Sequence, residues 1–245
     1  MSPDDRLAAE LATEAGRLLL GVRAEGLTGA DLKAAGDKRS HDYLMAALGE
    51  RAPKDGVLSE EGADDQRRLT MERVWIVDPL DGTREFSEPP RDDWAVHVAL
   101  TIGGRVANAA VALPGRGRTL ATGDELPAPS TTVGTPRLLV SRTRPTEHAQ
   151  RLAAHLGAEL VPMGSAGAKA MAVVLGEADI YAHSGGQYEW DSAAPVGVAA
   201  AAGFHVSRLD GSPIVYNRSS PWMPDLLICH PVFADQVIEF CKSDN

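Results

Sequence analysis

Apolar residues recur at helical spacing at the start of the chain: Leu7, Leu11, Ala15, Leu18 and Val22. Ser2, Pro3, Asp4 and Asp5 ahead of them supply a cap, a proline at the first position and an acidic first turn, so the pattern predicts a helix to about Gly26. Leu44 and Leu48 share a face in a second helix from about Ser40 to Leu48. Gly56 to Ser59 reads as a short strand that delivers Glu60. Val74, Trp75, Ile76 and Val77 are the β-branched and aromatic residues of a core strand, which Pro79 should stop because it has no N–H for the ladder. Trp94 to Ile102 and Val106 to Leu113 form two β-rich runs joined by Gly103-Gly104, a hairpin signal.

Residues 123 to 136 are rich in Pro, Gly, Ser and Thr, and the pattern changes across them. Strand and helix then alternate: Leu138 to Ser141, Thr146 to Leu156, Glu159 to Pro162, Ala166 to Leu175, Asp179 to His183, Asp191 to Ala202. The expectation is an N-terminal α+β half, residues 1–125, and a C-terminal α/β half, residues 135–245, with parallel strands. Asp191 reads as the N-cap of its helix, and the alanines from Ala193 to Ala202 as a close-packed helix rather than low complexity. No internal repeat is present.

Composition narrows the function. With 44% hydrophobic residues in 245, the chain can bury a substantial core. Cys229 and Cys241 are the only cysteines and form no Cys-x-x-Cys pair, which disfavours a disulfide framework or a thiolate zinc site. No stretch approaches the roughly 18 apolar residues of a membrane span, and no apolar run follows a basic start, so a cytoplasmic protein is expected. A formal net charge of -10 with no Lys/Arg cluster opposes binding to a nucleic acid polymer. It does not oppose a small anionic substrate, because bound Mg²⁺ reverses the field where carboxylates converge. The seven histidines have no metal-like spacing. His97 lies in a strand, His148 and His155 on a helix, and a structural role is expected for them.

The strand at Val74–Val77 runs into Asp78, Pro79, Leu80, Asp81, Gly82 and Thr83. Two carboxylates three residues apart, with the Leu80 carbonyl between them, are the hard oxygen donors that Mg²⁺ takes. Gly82 permits close backbone approach to an anion, and Thr83 offers a hydroxyl. Asp-Gly by itself would signal a hairpin turn. The longer string and the acids elsewhere favour a site.

Trp75 to Thr83 resembles the signature of the inositol monophosphatase superfamily of Mg²⁺-dependent, lithium-sensitive phosphatases. Leu58-Ser59-Glu60-Glu61 upstream and Glu189-Trp190-Asp191-Ser192-Ala193-Ala194 downstream match the same family in the same order. Asp81-Gly82-Thr83-Arg84-Glu85-Phe86, and Glu189 before Trp190, resemble its bacterial CysQ-type 3'(2'),5'-bisphosphate nucleotidases. The resemblance implies a layered αβαβα sandwich and removal of the 3'-phosphate of adenosine 3',5'-bisphosphate, or of its 5'-phosphosulfate form, in sulfate assimilation. It also implies a homodimer. Carried over by position, Glu60, Asp78 and the Leu80 carbonyl hold one Mg²⁺, and Asp78, Asp81 and Asp191 a second, with a third, weaker ion near Glu60. Asp37 accepts a hydrogen bond from Thr83 and so orients the attacking water. The residues before it, Lys33-Ala34-Ala35-Gly36, depart from the family pattern, which leaves a helix-start capping role open for Asp37 and bears on the lithium response.

The substrate contacts implied are Glu60, Asp81, Gly82, Thr83, Arg84, Ser141, Arg142, Ser165, Lys169, Glu189 and Asp191. Lys169 on a solvated helix face is the alternative for that residue, and a solvated or supporting acid is the reading for Glu61. Fructose 1,6-bisphosphate and inositol 1-phosphate are the competing substrates. A silent phosphometabolite-binding relative is the competing class, disfavoured because Glu60, Asp78, Asp81 and Asp191 are all retained.

Overall fold

The N-terminal cap forms as its residues predict. Ser2 Oγ accepts from Asp5 N at 3.1 Å, and Asp5 Oδ2 accepts from Ser2 N at 2.9 Å. This capping box starts α1 (Pro3–Ala24). Helix α2 (Gly29–Arg51) begins well before the expected Ser40. Its buried stripe is Leu32, Gly36, Ser40, Leu44 and Leu48, so between Leu32 and Leu44 the helix faces inward through two small residues that an apolar pattern does not register. Gly36 is required there: a Cβ would lie 2.7 Å from Phe86 Cε1.

The structure is a computed structural model and describes residues 1–131, 134–143 and 145–244; Thr132 and Val133 of the expected boundary segment lie outside them. Strand β1 (Gly56–Ser59) pairs parallel with β2 (Arg73–Asp81). The short helix α3 (Thr83–Phe86) follows, then β3 (Ala95–Ile102), β4 (Arg105–Leu113) and β5 (Arg118–Ala121), giving a sheet in the order β1-β2-β3-β4-β5. Pro79 does not end β2. The register shifts between the Asp78↔His97 and Asp81↔Ala95 pairs, so the strand passes the proline through an irregularity, where a missing N–H is tolerated.

The second half contributes β6 (Arg137–Ser141), α4 (Glu147–Leu156), β7 (Glu159–Met163), α5 (Ala166–Val174), β8 (Ile180–His183), β9 (Gln187–Tyr188) and α6 (Glu189–Ala201). It ends with β10 (His205–Ser207), β11 (Trp222–Met223), β12 (Leu226–Cys229) and α7 (Ala234–Ser243). The larger sheet has the order β10-β12-β8-β6-β7, and β9 pairs with β11 alone. Only β6 with β7 and β6 with β8 are parallel; β12 is antiparallel to both β8 and β10. The expected parallel sheet is therefore mixed, because no helix connects β10 to β12 and only parallel neighbours need that crossover.

Three buried clusters fill the four interfaces between five layers, one of them on both faces of the central helices. Trp75 and Val77 face α1 and α2, while Val74 and Ile76, on the opposite pleat of β2, pack with α5 and α6. The far side of α5 and α6 meets Leu139, Tyr181 and Ile228 of the second sheet, whose outer face is covered by α4 and α7. The result is an αβαβα sandwich. Gly197 lets α6 lie directly on β4, since a Cβ there would come within 2.6 Å of Val106 Cγ1. Both cysteines are buried and unpaired. No helix among the described residues is long and apolar enough to cross a membrane.

Candidate active site

The exit of β2 and the first turn of α6 bring three carboxylates together. Asp78, Asp81 and Asp191 each place an oxygen within 4.8 Å of the other two. Asp78 is 1% exposed, and its Oδ1 accepts from Leu80 N at 3.0 Å. Gly82, at φ 81°, turns the chain from β2 into α3. Glu60, carried past the end of β1, stands beside Asp78 and outside the group of three.

These acids destabilise one another's charge. Burial, followed by the charges of Glu60, Asp81 and Asp191, lifts the Asp78 carboxyl well above the usual range. Asp191 is raised to about 6, by burial and then by Asp81. Glu60, although its residue keeps an exposed side, is raised to about 7, by partial desolvation first and its carboxylate neighbours after it. A buried set of oxygen donors short of positive charge fits a hard divalent cation.

Asp81 alone is held charged. Ser165 Oγ donates to its Oδ2, Gly167 N to the same oxygen at 2.6 Å and Ala166 N to Oδ1 at 3.1 Å. Burial pushes the carboxyl up, but His97 and these donors outweigh it and hold Asp81 at about 2. The free N–H groups at the start of α5, which could otherwise meet a substrate anion, are thus taken by a side chain of the protein itself. Ser165, at φ 53°, also caps α5 by accepting from Ala168 N at 2.9 Å.

His97, expected to be structural, is wholly buried at the site. Its Nδ1 lies 2.9 Å from the Trp190 carbonyl and its Nε2 3.3 Å from Asp81 Oδ2, the latter too poorly directed for a hydrogen bond. Burial lowers its basicity, while the Asp81 charge outweighs this and raises it. Gly167 makes the room, since a Cβ there would lie 2.0 Å from Nε2. The only sequence signal was a polar residue interrupting an apolar strand.

Thr83 Oγ1 lies 3.3 Å from Asp37 Oδ1 and 3.1 Å from the Leu80 carbonyl. Asp37 sits inside α2, which rules out a cap at a helix start. Burial, then the charge of exposed Glu61, raises it to about 6. Asp191 is not the N-cap of α6; it stands in the first turn, and its Oδ2 accepts from Tyr188 N at 2.6 Å.

A cavity of about 630 Å³ opens beside the cluster, lined by Asp81, Gly82, Ser141, Ser165, Lys169 and Asp191 among others. Lys169 is not on a solvated face. Its Nζ donates to the Ser165 carbonyl at 2.7 Å and lies 5.1 Å from the Tyr181 ring centroid, and burial lowers its pKa.

Five expected contacts fall outside the cavity lining: Glu60 and Thr83, beside Asp78 and Asp37, and Arg84, Arg142 and Glu189. The Arg142 guanidinium donates to Glu85 and Glu88, each at 2.7 Å. Arg84 is exposed, 3.8 Å from Glu88. Glu189 is fully buried and accepts from Asn217 N at 2.7 Å and Arg218 N at 2.9 Å. Its carboxylate shapes that turn rather than facing a ligand, a role its position next to Trp190 could not disclose.

The inositol monophosphatase family model matches residues 2–239. A 3'-phosphoadenosine 5'-phosphate phosphatase of Mycobacterium leprae is 52% identical over 242 residues, covering 92% of this chain and 89% of that protein. The 3'(2'),5'-bisphosphate nucleotidase CysQ of Escherichia coli K12 is 30% identical over 193 residues, 74% of this chain and 78% of that protein. Among solved structures, CysQ from Bacteroides thetaiotaomicron superposes with a TM-score of 0.80 at 24% identity, over 92% of this chain and 96% of that one. Inositol monophosphatase II of Staphylococcus aureus gives 0.83 at 20% identity, over 97% and 92%. With its layered fold, its carboxylate cluster and these relatives, the chain is an enzyme of the inositol monophosphatase family.

Proposed function

We propose that the protein removes the 3'-phosphate of adenosine 3',5'-bisphosphate, and of its 5'-phosphosulfate form, giving a 5'-nucleotide and phosphate. Mg²⁺ would be held by Asp78, Asp81, Asp191, the Leu80 carbonyl and Glu60. The observation that carries the reading is the convergence of Asp78, Asp81 and Asp191 within 4.8 Å beside the cavity. The nucleotide preference is supported by the names of the relatives. The proposal sets the reaction between residues 1–125, which bring Asp78 and Asp81, and residues 135–245, which bring Asp191. It extends to a cytoplasmic homodimer acting in sulfate assimilation, as the resemblance implies.

Phosphate monoesters hydrolyse so slowly in water that a catalyst must neutralise charge and place a water in line. Bound Mg²⁺ would supply Lewis acidity toward the phosphate and lower the pKa of a water. The protein's part is to hold the acids and to manage a proton. Thr83 has one hydroxyl proton, and Asp37 Oδ1 and the Leu80 carbonyl are both within reach of it. Donating it there leaves the Thr83 oxygen lone pairs free to accept from the attacking water. The buried Lys169 side chain stands at the cavity wall, its Nζ held by the Ser165 carbonyl.

The test is phosphate release with Mg²⁺ from adenosine 3',5'-bisphosphate, AMP, fructose 1,6-bisphosphate and inositol 1-phosphate, each with and without Li⁺. The expected result is the highest kcat/KM on the first, inhibited by Li⁺. Equal or higher values on the sugar phosphates would overturn the nucleotide preference. Asp81→Asn should lower kcat/KM by on the order of a hundred-fold or more; survival within a few-fold would refute the cluster as the metal site.

A further inference from the structure

The cavity rim carries an aromatic surface that phosphate chemistry does not use. Tyr188 lines the cavity and is 46% exposed, yet it is firmly placed. Its ring stacks on Trp190 with centroids 4.8 Å apart and planes 12° from parallel. Tyr188 also pairs with Trp222 across β9 and β11.

The loop leading to it is braced on both sides. Gly186 N donates to the Pro224 carbonyl at 3.0 Å, and the Gly186 carbonyl accepts from His183 Nε2 at 2.8 Å. The Trp222 indole lies so close that a Cβ on Gly186 would come within 3.0 Å of Nε1. The adjoining Gln187 lines the same cavity, is 7% exposed, and has an Nε2 without a hydrogen-bond partner.

An aromatic ring backed by a second ring, held rigid and open beside a ligand cavity, presents a π-face at little entropic cost. That is the arrangement that accepts a planar base. The ring is also tied to the metal cluster, because Tyr188 N donates to Asp191 Oδ2 at 2.6 Å. One nucleotide can therefore set its phosphate at the carboxylates and its base at the rim. An inositol phosphate has no flat ring to place there.

We propose that Tyr188, backed by Trp190, is the stacking platform for the purine base of the substrate and sets the preference for nucleotides over phosphate esters without an aromatic ring. The inference rests on the nucleotidase reading above. Its test is the ratio of kcat/KM on adenosine 3',5'-bisphosphate to kcat/KM on inositol 1-phosphate, in which general damage to the site cancels. Tyr188→Ala should lower this ratio on the order of ten-fold, the scale on which one base–aromatic stack acts. Tyr188→Phe should hold it within about two-fold, because the ring rather than the hydroxyl stacks. An unchanged ratio in Tyr188→Ala, or an equal fall in both variants, would overturn the platform.

AMP binding in the presence of Mg²⁺, read by calorimetry, separates the two proposals. If the wild type releases no phosphate from the nucleotide, the proposed function fails. Weaker AMP binding by Tyr188→Ala would then still support the platform, and equal binding would overturn it.

Discussion

Asp37 and Thr83 share a single hydroxyl proton, and the direction in which it points depends on the charge of Asp37. Burial lifts that carboxyl to about 6. The ionised form is the stronger acceptor from Thr83, so with Mg²⁺ saturating, kcat/KM should climb as pH rises through about 6. Asp37→Asn removes this acidic limb and should lower the rate by about a hundred-fold to ten-thousand-fold, the usual scale of general-base assistance. A pH–rate profile on both proteins checks it; an unchanged acidic limb in the variant would assign that limb to another group. Asp37 was legible in the sequence only through the family resemblance, whereas its shift came with burial in the folded protein. His97 and Gly167 are a residue pair that no spacing could reveal, because they are seventy positions apart and meet through tertiary packing.

At the scale of elements, α6 is anchored through its first residue. Glu189 holds two backbone N–H groups of the turn at Asn217 and Arg218, and the other side of that turn is gripped by Arg68. The guanidinium of Arg68, 1% exposed, reaches Asn217 Oδ1 at 2.7 Å and the Arg218 carbonyl at 3.0 Å, and pairs with Asp64 at 2.6 Å. Glu189→Ala would strip acceptors from two N–H groups and a partner charge from buried Arg68. The expected cost is roughly 2–4 kcal/mol in denaturant unfolding. A loss below about 0.5 kcal/mol would show that the turn does not depend on it. Such clasps explain which elements escaped the sequence reading. β1, β3 and β4 appear as apolar runs, while the first half of α2 buries glycine and serine, and β10 to β12 are short strands whose partners lie elsewhere in the chain.

For the whole molecule, the carboxylate cluster works against the fold when no cation is bound. Glu60, Asp37 and Asp191 are raised to about 7, 6 and 6. Each binds its proton more tightly folded than unfolded, so the stability they contribute is fully present below about pH 4 and is lost as pH rises through 6 to 7. Asp5 and Asp81, held at about 2, act in the opposite sense and lose their contribution only as pH falls below about 4. The metal-free protein should therefore unfold at a lower temperature at pH 8 than at pH 5. Mg²⁺, binding only the folded form, should raise Tm more at pH 8, where the carboxylates are charged. Calorimetric scans at both pH values with and without Mg²⁺ decide this; equal Tm increments would mean that the ion does not bind the acids.

The local chemistry of the site was already written in the chain: a strand ending in Asp78-Pro79-Leu80-Asp81-Gly82-Thr83, an acid after the first strand, and another at the start of a helix. Those features follow from alternation, capping and the donor properties of single residues, which neighbours along the chain determine. Tertiary structure alone decided that Asp81 would occupy the start of α5, that Arg142 would be held by Glu85 and Glu88, and that Glu189 would serve a distant turn. Each of those outcomes depends on which buried donors and acceptors meet when the two sheets close over α5 and α6, and a buried polar group must find its partner wherever packing places one.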